Sequence, residues 1–389
     1  MKIVFALAFA LTLSSGCHKT ALEKIKVMKP DLESAAAIAL GPDESAFSKA
    51  ADAPTHFATT YEPFYDTGTA GSFSSYGSAT IQYRYFLNPN ATAGIFILPG
   101  RTESMRKYAE VIYDLYRQNY SIFIMSHRGQ GESTHLVSND PKKVEFQIGH
   151  VDKYTDFTDD VESFYQIVRS LWPAPQKLFM LAHSMGGAIG ALYVSLDGNQ
   201  DKFDAIALVS PMFLINTGKF TTSVAGTIAL AQDGKGGAKQ FALGGTGPAP
   251  ENPDFNTTDN DVTGCRERFD MNVNILHAHK ELKLGRVSAG WFYQWDQGTQ
   301  RIREIGTLNI HNDRQNKTPT LIFSAIPQSG ISPSGDDIVK ISAHELYRSH
   351  NPNVTQIIQI PGAQHEILQE IDTRRNHALV RIVRFFRSF

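Results

Sequence analysis

Cysteine is nearly absent: Cys17 and Cys265 are the two in 389 residues. With Cys17 at the end of an N-terminal leader, no disulfide framework is available to the mature chain, and its stability must come from a packed core. A surplus of charge is missing too. Lys and Arg number 37 against 39 Asp and Glu, a formal net charge of −2. The two signs are mixed along the chain, which removes the electrostatic footprint of a nucleic-acid binder, so no nucleic-acid partner is expected. The N-terminal apolar run, residues 3–13, is too short to span a bilayer. No internal repeat is visible. His277 and His279 stand one residue apart and lack the spacing of a compact metal site, so no metal and no cofactor are expected.

What is present is apolar mass. Hydrophobic residues make up 42% of the chain, with 24 Phe, enough for one large domain with an insertion or two unequal domains. At the N-terminus, Met1-Lys2, the apolar run and then Ser14-Ser15-Gly16-Cys17 read as a secretory signal. Small residues directly before a cysteine resemble a bacterial lipoprotein signal, in which Cys17 becomes the lipid-modified first residue. An ordinary signal peptide cut nearby is the alternative, and both export the chain. The expected organisation is therefore a signal and lipidation cysteine over 1–17, a tether over 18–56 and a folded domain over 57–389. It lies outside the cytoplasm in a bacterial envelope, held to a membrane through Cys17. Cys265 reads as a small packing residue.

Within the domain, apolar runs alternate with helical periodicity. Strands are expected at 80–86, 94–98, 121–125, 178–181, 205–209, 320–323 and 355–360, and helices at 105–118, 154–171, 185–196, 339–348 and 373–386. That alternation describes an α/β fold with a mostly parallel sheet covered on both faces. It is interrupted over about 211–317, a Gly-, Asn- and Asp-rich stretch that also carries Trp291, Phe292, Tyr293 and Trp295. An insertion there is expected to form a cap over the carboxyl ends of the strands, where open α/β sheets place ligands.

The chemistry centres on Lys177 to Leu196, an apolar strand followed by a tight turn at Ser184 and a small-residue helix. A serine on such a turn projects its hydroxyl above the sheet, and the N–H of Met185 faces a developing oxyanion. Ala182 stands where the usual G-x-S-x-G pattern has its first glycine, and Gly186 keeps the second. A nucleophilic serine needs a base and a group that orients it, in the chain order Ser, acid, His. His365 follows the last expected strand, and Asp336 and Asp337 follow the one before it. After the 94–98 strand, Gly100 allows close backbone approach, so the N–H of Arg101 is the second candidate oxyanion donor.

Taken together, Leu98-Pro-Gly-Arg-Thr-Glu-Ser104, Ser126-His-Arg-Gly-Gln-Gly-Glu-Ser133, Gly149-His-Val-Asp-Lys-Tyr-Thr-Asp156, Leu181-Ala-His-Ser-Met-Gly-Gly-Ala188, Ser210-Pro-Met-Phe213 and Gly362-Ala-Gln-His-Glu-Ile-Leu368 resemble the bacterial lysophospholipase branch of the monoacylglycerol-lipase-like α/β-hydrolases. The resemblance runs from about residue 65 to the C-terminus. It implies an α/β-hydrolase fold, Ser184 as nucleophile, His365 as base, and Arg101 and Met185 as oxyanion donors. For the acid it favours the register of Asp336, with Asp337 as rival. It also implies hydrolysis of the acyl ester of a single-chain lipid, lysophospholipid or monoacylglycerol. The competing expectations are an esterase or lactonase on small soluble substrates, or a non-catalytic lipid-binding lipoprotein. His127 and His150 are expected to hydrogen-bond turns or neighbouring loops and His183 to support the nucleophile turn. Asp156, Asp159 and Asp160 read as a solvated helix face. The Arg101 side chain is expected to pair with Glu103 or a cap carboxylate, or else to meet a phosphodiester.

Overall fold

In the computed structural model the described residues are 42–217, 222–232, 237–242, 247–257, 260–304, 316–332 and 335–389. The apolar runs form strands β1 (Thr69–Ser74), β2 (Thr80–Phe86), β3 (Ala93–Leu98), β4 (Tyr120–Met125), β5 (Lys177–His183), β6 (Ala205–Val209), β7 (Thr320–Ile326) and β8 (Val354–Pro361). They pair into an eight-stranded sheet of order β1-β2-β4-β3-β5-β6-β7-β8. The β1–β2 and β2–β4 pairs are antiparallel. Every pair from β4–β3 across to β7–β8 is parallel.

Burial explains the sequence of the central strands. Every residue of β3, β4 and β6 is buried. Their side chains alternate between two cores: Ile95 and Ile97 join one cluster, Phe96 and Leu98 the other. A strand covered on both faces needs an unbroken apolar run rather than an alternating one. The covering helices are α1 (Ala109–Arg117), α2 (Thr155–Leu171), α3 (Ser184–Ser195), α4 (Thr222–Gln232), α5 (Arg266–Ala278), α6 (Ala289–Glu304), α7 (Ser342–His350) and α8 (Asp372–Arg387). The expected α/β-hydrolase architecture is present.

Two expected boundaries are corrected. The domain takes in residues 42–56, ahead of the expected start at residue 57. Phe47 and Ala53 are buried in the first core. The Ser48 N–H donates to Asp114 at 3.0 Å and the Ala50 N–H to Asp372 at 2.8 Å. Residues 42–56 are thus part of the domain, because they supply apolar side chains to it and their backbone meets the buried Asp114 and the partly exposed Asp372. The rest of the expected tether, the signal and Cys17 lie outside the described residues. No helix among the described residues is long and apolar enough to cross a membrane.

The second correction concerns the cap. Of the expected 211–317 insertion, α6 packs against α3 and α7. Its Trp291, Trp295 and Ile302 sit in the second core, with the two indoles stacked at 5.1 Å. Gly298 lets the helix lie against the Tyr154 ring. This helix is therefore the crossover between β6 and β7, and its aromatics fill the layer beside the sheet. Helix α5 is likewise docked: Met271 and Ile275 enter the first core. The buried Arg268 guanidinium donates to Glu110 of α1 at 2.9 Å.

Candidate active site

Parallel strands end together, so the loops after β3, β4, β5, β7 and β8 meet at one edge of the sheet. Ser184 begins α3 directly after β5, with φ of 49°. This left-handed value is uncommon for a non-glycine residue and marks the strained turn that lifts the hydroxyl out of the strand. Glycine at 186 is required by space: a Cβ there would collide with the carbonyl oxygens of Leu98 and Pro99. At 187 it would meet Pro211 at 2.9 Å. Ala182 needs no glycine. It lies within β5, paired in register with Leu98 and Leu208, and its methyl is simply buried.

His365 Nε2 lies 2.7 Å from Ser184 Oγ. Its Nδ1 lies 2.9 and 3.0 Å from the two carboxylate oxygens of Asp336. That geometry has the Nδ1–H donate to the carboxylate and leaves Nε2 to accept from the serine. Asp336 is buried and takes two further donors, the N–H groups of Ile338 and Val339, both at 3.0 Å. Burial works against its ionisation, yet the His365 ring and these N–H groups hold its carboxyl below the usual range. Of the two candidate acids, Asp336 meets the histidine and Asp337 is exposed.

The 99–103 loop after β3 brings Arg101 beside the start of α3. Neither the Arg101 nor the Met185 N–H donates to another group among the described residues. Two unpaired N–H groups beside a serine are what an oxyanion hole requires. Of the carboxylates expected to meet the Arg101 side chain, Glu103 is engaged elsewhere, and Asp261, in the expected cap stretch, is the one whose charge acts on it. Burial and the nearby Arg286 pull its guanidinium down to about 10, opposed by Asp261, and its Nη1 is buried with no hydrogen-bond partner among the described residues.

Glu103 has other work. Its carboxylate accepts the Gly100 N–H, the Tyr108 hydroxyl at 2.7 Å, Lys107 Nζ at 2.9 Å and His183 Nδ1 at 3.2 Å. Burial disfavours this carboxylate, but Lys107 and His183 hold it well below the usual range. Lys107 also reaches Glu366 at 2.5 Å, beside His365. The other His183 nitrogen faces the carbonyl of His365 at 3.3 Å. Both ring nitrogens thus point at acceptors, which favours the imidazolium; burial opposes it, and Glu103 carries the pKa upward. This network joins the loop before Arg101, the residue before Ser184 and the residue after His365. Lys107 was not singled out from the sequence, and Glu103 was named there only as a partner for Arg101, since nothing in a local pattern marks a carboxylate shared by three loops.

His127 and His150 act as expected. His127 Nε2 donates to the Pro99 carbonyl at 3.1 Å, and His150 Nδ1 meets Ser288 at 2.7 Å. The acidic face of α2 is corrected. Asp160 and Asp156 are buried and grip Arg128 at 2.7 and 3.0 Å, while Asp159 is exposed. A guanidinium from the loop after β4 makes this a buried clamp rather than a solvated face. His277 meets the Glu251 carbonyl and His279 the Glu62 and Glu281 carboxylates. No cluster of metal-binding side chains occurs among the described residues. Cys265 is buried, and burial raises its thiol to about 11, away from nucleophile chemistry.

Comparison with known proteins identifies the family. The family model described as "Serine aminopeptidase, S33" matches residues 89–372. Lysophospholipase L2 of Escherichia coli (strain K12) is 32% identical over 296 residues, 75% of this chain and 79% of that protein. A probable lysophospholipase L2 of Haemophilus influenzae is 25% identical over 327 residues, 83% of this chain and 93% of that protein. Among solved structures, a soluble variant of monoglyceride lipase from Saccharomyces cerevisiae superposes with a TM-score of 0.61 at 18% identity, covering 81% of this chain and 94% of its own. At that identity the superposition speaks for the fold. The chain belongs to the serine aminopeptidase S33 family of α/β-hydrolases, with lysophospholipase L2 of Escherichia coli among its relatives.

Proposed function

We propose that this chain is a serine hydrolase that cleaves the acyl ester of a single-chain lipid, lysophospholipid or monoacylglycerol, through an acyl-serine intermediate. The observation that carries it is the hydrogen-bonded line Ser184 Oγ, His365 Nε2, His365 Nδ1 and Asp336. His365 removes the serine proton as Oγ attacks the ester carbonyl, and Asp336 stabilises the imidazolium that forms. The carbonyl oxygen becomes an oxyanion held by the N–H groups of Arg101 and Met185. Collapse expels the glycerol oxygen, which takes the proton from His365. Water activated by the same nitrogen then attacks the acyl-serine, releasing the fatty acid and restoring Ser184. None of these steps calls for a cofactor.

The choice of a lipid ester is supported by the curated relatives named lysophospholipase L2. The Ser14-Ser15-Gly16-Cys17 leader supports export to the bacterial cell envelope, with the enzyme tethered through acylated Cys17 at a membrane that carries its substrate.

A hydrolysis panel tests the proposal, with monoacylglycerols and choline lysolipids of increasing chain length beside acetate esters. The long-chain lipids are expected to give the higher kcat/KM, and Ser184→Ala to lose about 10³-fold or more. Equal or better turnover of acetate esters would sink the lipid assignment. In the same expressed cells, palmitate incorporation is expected to disappear in Cys17→Ser, and labelling that persists would refute the anchor.

A further inference from the structure

We propose that Gln130 is the positioning residue that aims the Arg101 N–H into the oxyanion hole. This rests on the serine-hydrolase assignment above and goes beyond it, to what holds the donor in place. The Ser126-His-Arg-Gly-Gln-Gly-Glu-Ser133 stretch follows β4, and none of its side chains takes part in the steps of the reaction. Gly129 and Gly131 adopt left-handed φ values of 77° and 58°. A Cβ at 129 would run into the His150 backbone, and one at 131 would lie 2.6 Å from Ser126 Oγ and 3.2 Å from Ser104 Cα. Two glycines thus let the turn press under the 99–103 loop, and Gln130 between them is 3% exposed.

There its amide makes three contacts. Nε2 donates to the carbonyls of Gly100 at 2.7 Å and Glu103 at 2.9 Å, and Oε1 accepts the Thr102 N–H at 3.3 Å. The two carbonyls require the nitrogen on their side and the N–H requires the oxygen on the other, so the network itself fixes which way the amide faces.

The consequence comes from the planarity of the peptide unit. In a trans peptide the C=O of one residue and the N–H of the next point in opposite directions. The Pro99–Gly100 peptide is held on both sides, its carbonyl by His127 and its N–H by the Glu103 carboxylate. The following peptide, Gly100–Arg101, is held on one side only, its carbonyl by Gln130. With that carbonyl pulled toward Gln130, the Arg101 N–H points the opposite way. It has no partner among the described residues. Glycine at 100 makes the hold necessary, since it imposes little preference of its own on the orientation of the peptide that follows. The loop's donor is therefore pre-oriented before any charge develops, which is what makes such a donor effective.

The test uses Gln130→Met, which keeps length without polar atoms, and Gln130→Glu, which keeps shape but puts an oxygen where Nε2 donates. Each is measured with a short-chain ester and with an alkyl trifluoromethyl ketone, whose serine adduct carries an oxyanion in the same hole. The expected result is a kcat lowered about 10- to 100-fold with KM within about twofold, somewhat less than deleting a donor outright. The ketone Ki is expected to rise by a matching factor. Folded variants whose kcat stays within about twofold of wild type overturn the proposal. So does a loss of kcat with the ketone Ki unmoved, which would mark general structural damage. A wild-type chain that turns over no ester and binds no ketone refutes the hydrolase assignment itself, an outcome distinct from either of these.

Discussion

Two adjacent aspartates occupy very different surroundings. Asp336 is buried, touches His365 with both oxygens and accepts two backbone N–H groups, whereas Asp337 stands exposed. Replacing Asp336 by Asn removes the negative charge that stabilises the imidazolium and presents an N–H₂ group where the ring's Nδ1 proton needs an acceptor. Asp336→Asn is expected to lower kcat by about 10³-fold or more. Asp337→Asn is expected to stay within about twofold, because the ring's Nδ1 is held by Asp336 and an exposed carboxylate is largely screened by water. Steady-state rates on one chromogenic ester decide this, and the opposite ranking would move the acid to Asp337. At the same scale, the alanine at 182 is harmless because the left-handed backbone falls on Ser184, and the crowded approach falls on Gly186.

Between elements, buried guanidinium groups bridge to carboxylates on neighbouring helices. Arg128 joins the loop after β4 to the first turns of α2 through Asp156 and Asp160. Arg268 joins α5 to Glu110 of α1 and to Asp372 at the start of α8. Such pairs gain little over an apolar replacement of both partners, but removal of one partner leaves a charge stranded in the interior. Arg128→Met is therefore expected to cost about 3–5 kcal/mol, because two buried carboxylates lose their guanidinium. Asp159→Asn, on the exposed side of the same helix, is expected to change stability by less than about 0.5 kcal/mol. Urea unfolding of the two variants measures the difference, and a mild Arg128→Met would mean that both carboxylates find other donors. The clamp also bears on the site, since Arg128 directly precedes the Gly129-Gln130-Gly131 turn beneath the Arg101 loop.

For the whole molecule, buried histidines set a pH dependence. His127 and His344 are fully buried, and burial pulls both down to about 4, only partly offset by the carbonyls of Pro99 and Pro211. The unfolded chain protonates both near their ordinary value of about 6.5. Stability from the neutral rings is thus complete above that pH and is lost as pH falls from about 6.5 toward 4, by up to about 3 kcal/mol for each ring. His183 works in the opposite sense: beside Glu103 its pKa is raised, and its contribution is lost as pH rises through the folded value. Asp336, held low, adds to the loss in acid. With His344→Gln, the slope of unfolding free energy against pH between 6.5 and 4.5 is expected to fall by about one proton, ~1.4 kcal/mol per pH unit. Denaturant titrations at several pH values check this, and an unchanged slope would show that His344 protonates without cost in the fold.

The sequence by itself determined the order of strands and helices and the chemical types at the site. Those signals are local: an apolar run marks a doubly covered strand, and Ser184, Gly186, Gly100 and His365 stand at turns whose residues are dictated by backbone and space. Tertiary structure alone decided where partners at a distance meet. Asp336 and Asp337 are indistinguishable as a dipeptide, and only the path of the loop after β7 turns one of them onto His365. Arg128 lies 28 residues from Asp156, and Arg268 lies 158 from Glu110, so no local pattern could show that those acids were buried. Likewise the aromatic residues of α6 look alike in a cap or a core, and residues 42–56 look like a spacer until Phe47 is seen to fill a gap in the first core. Periodicity records which face of an element is apolar, whereas charge pairing and the covering of that face depend on which surfaces the folded chain brings together.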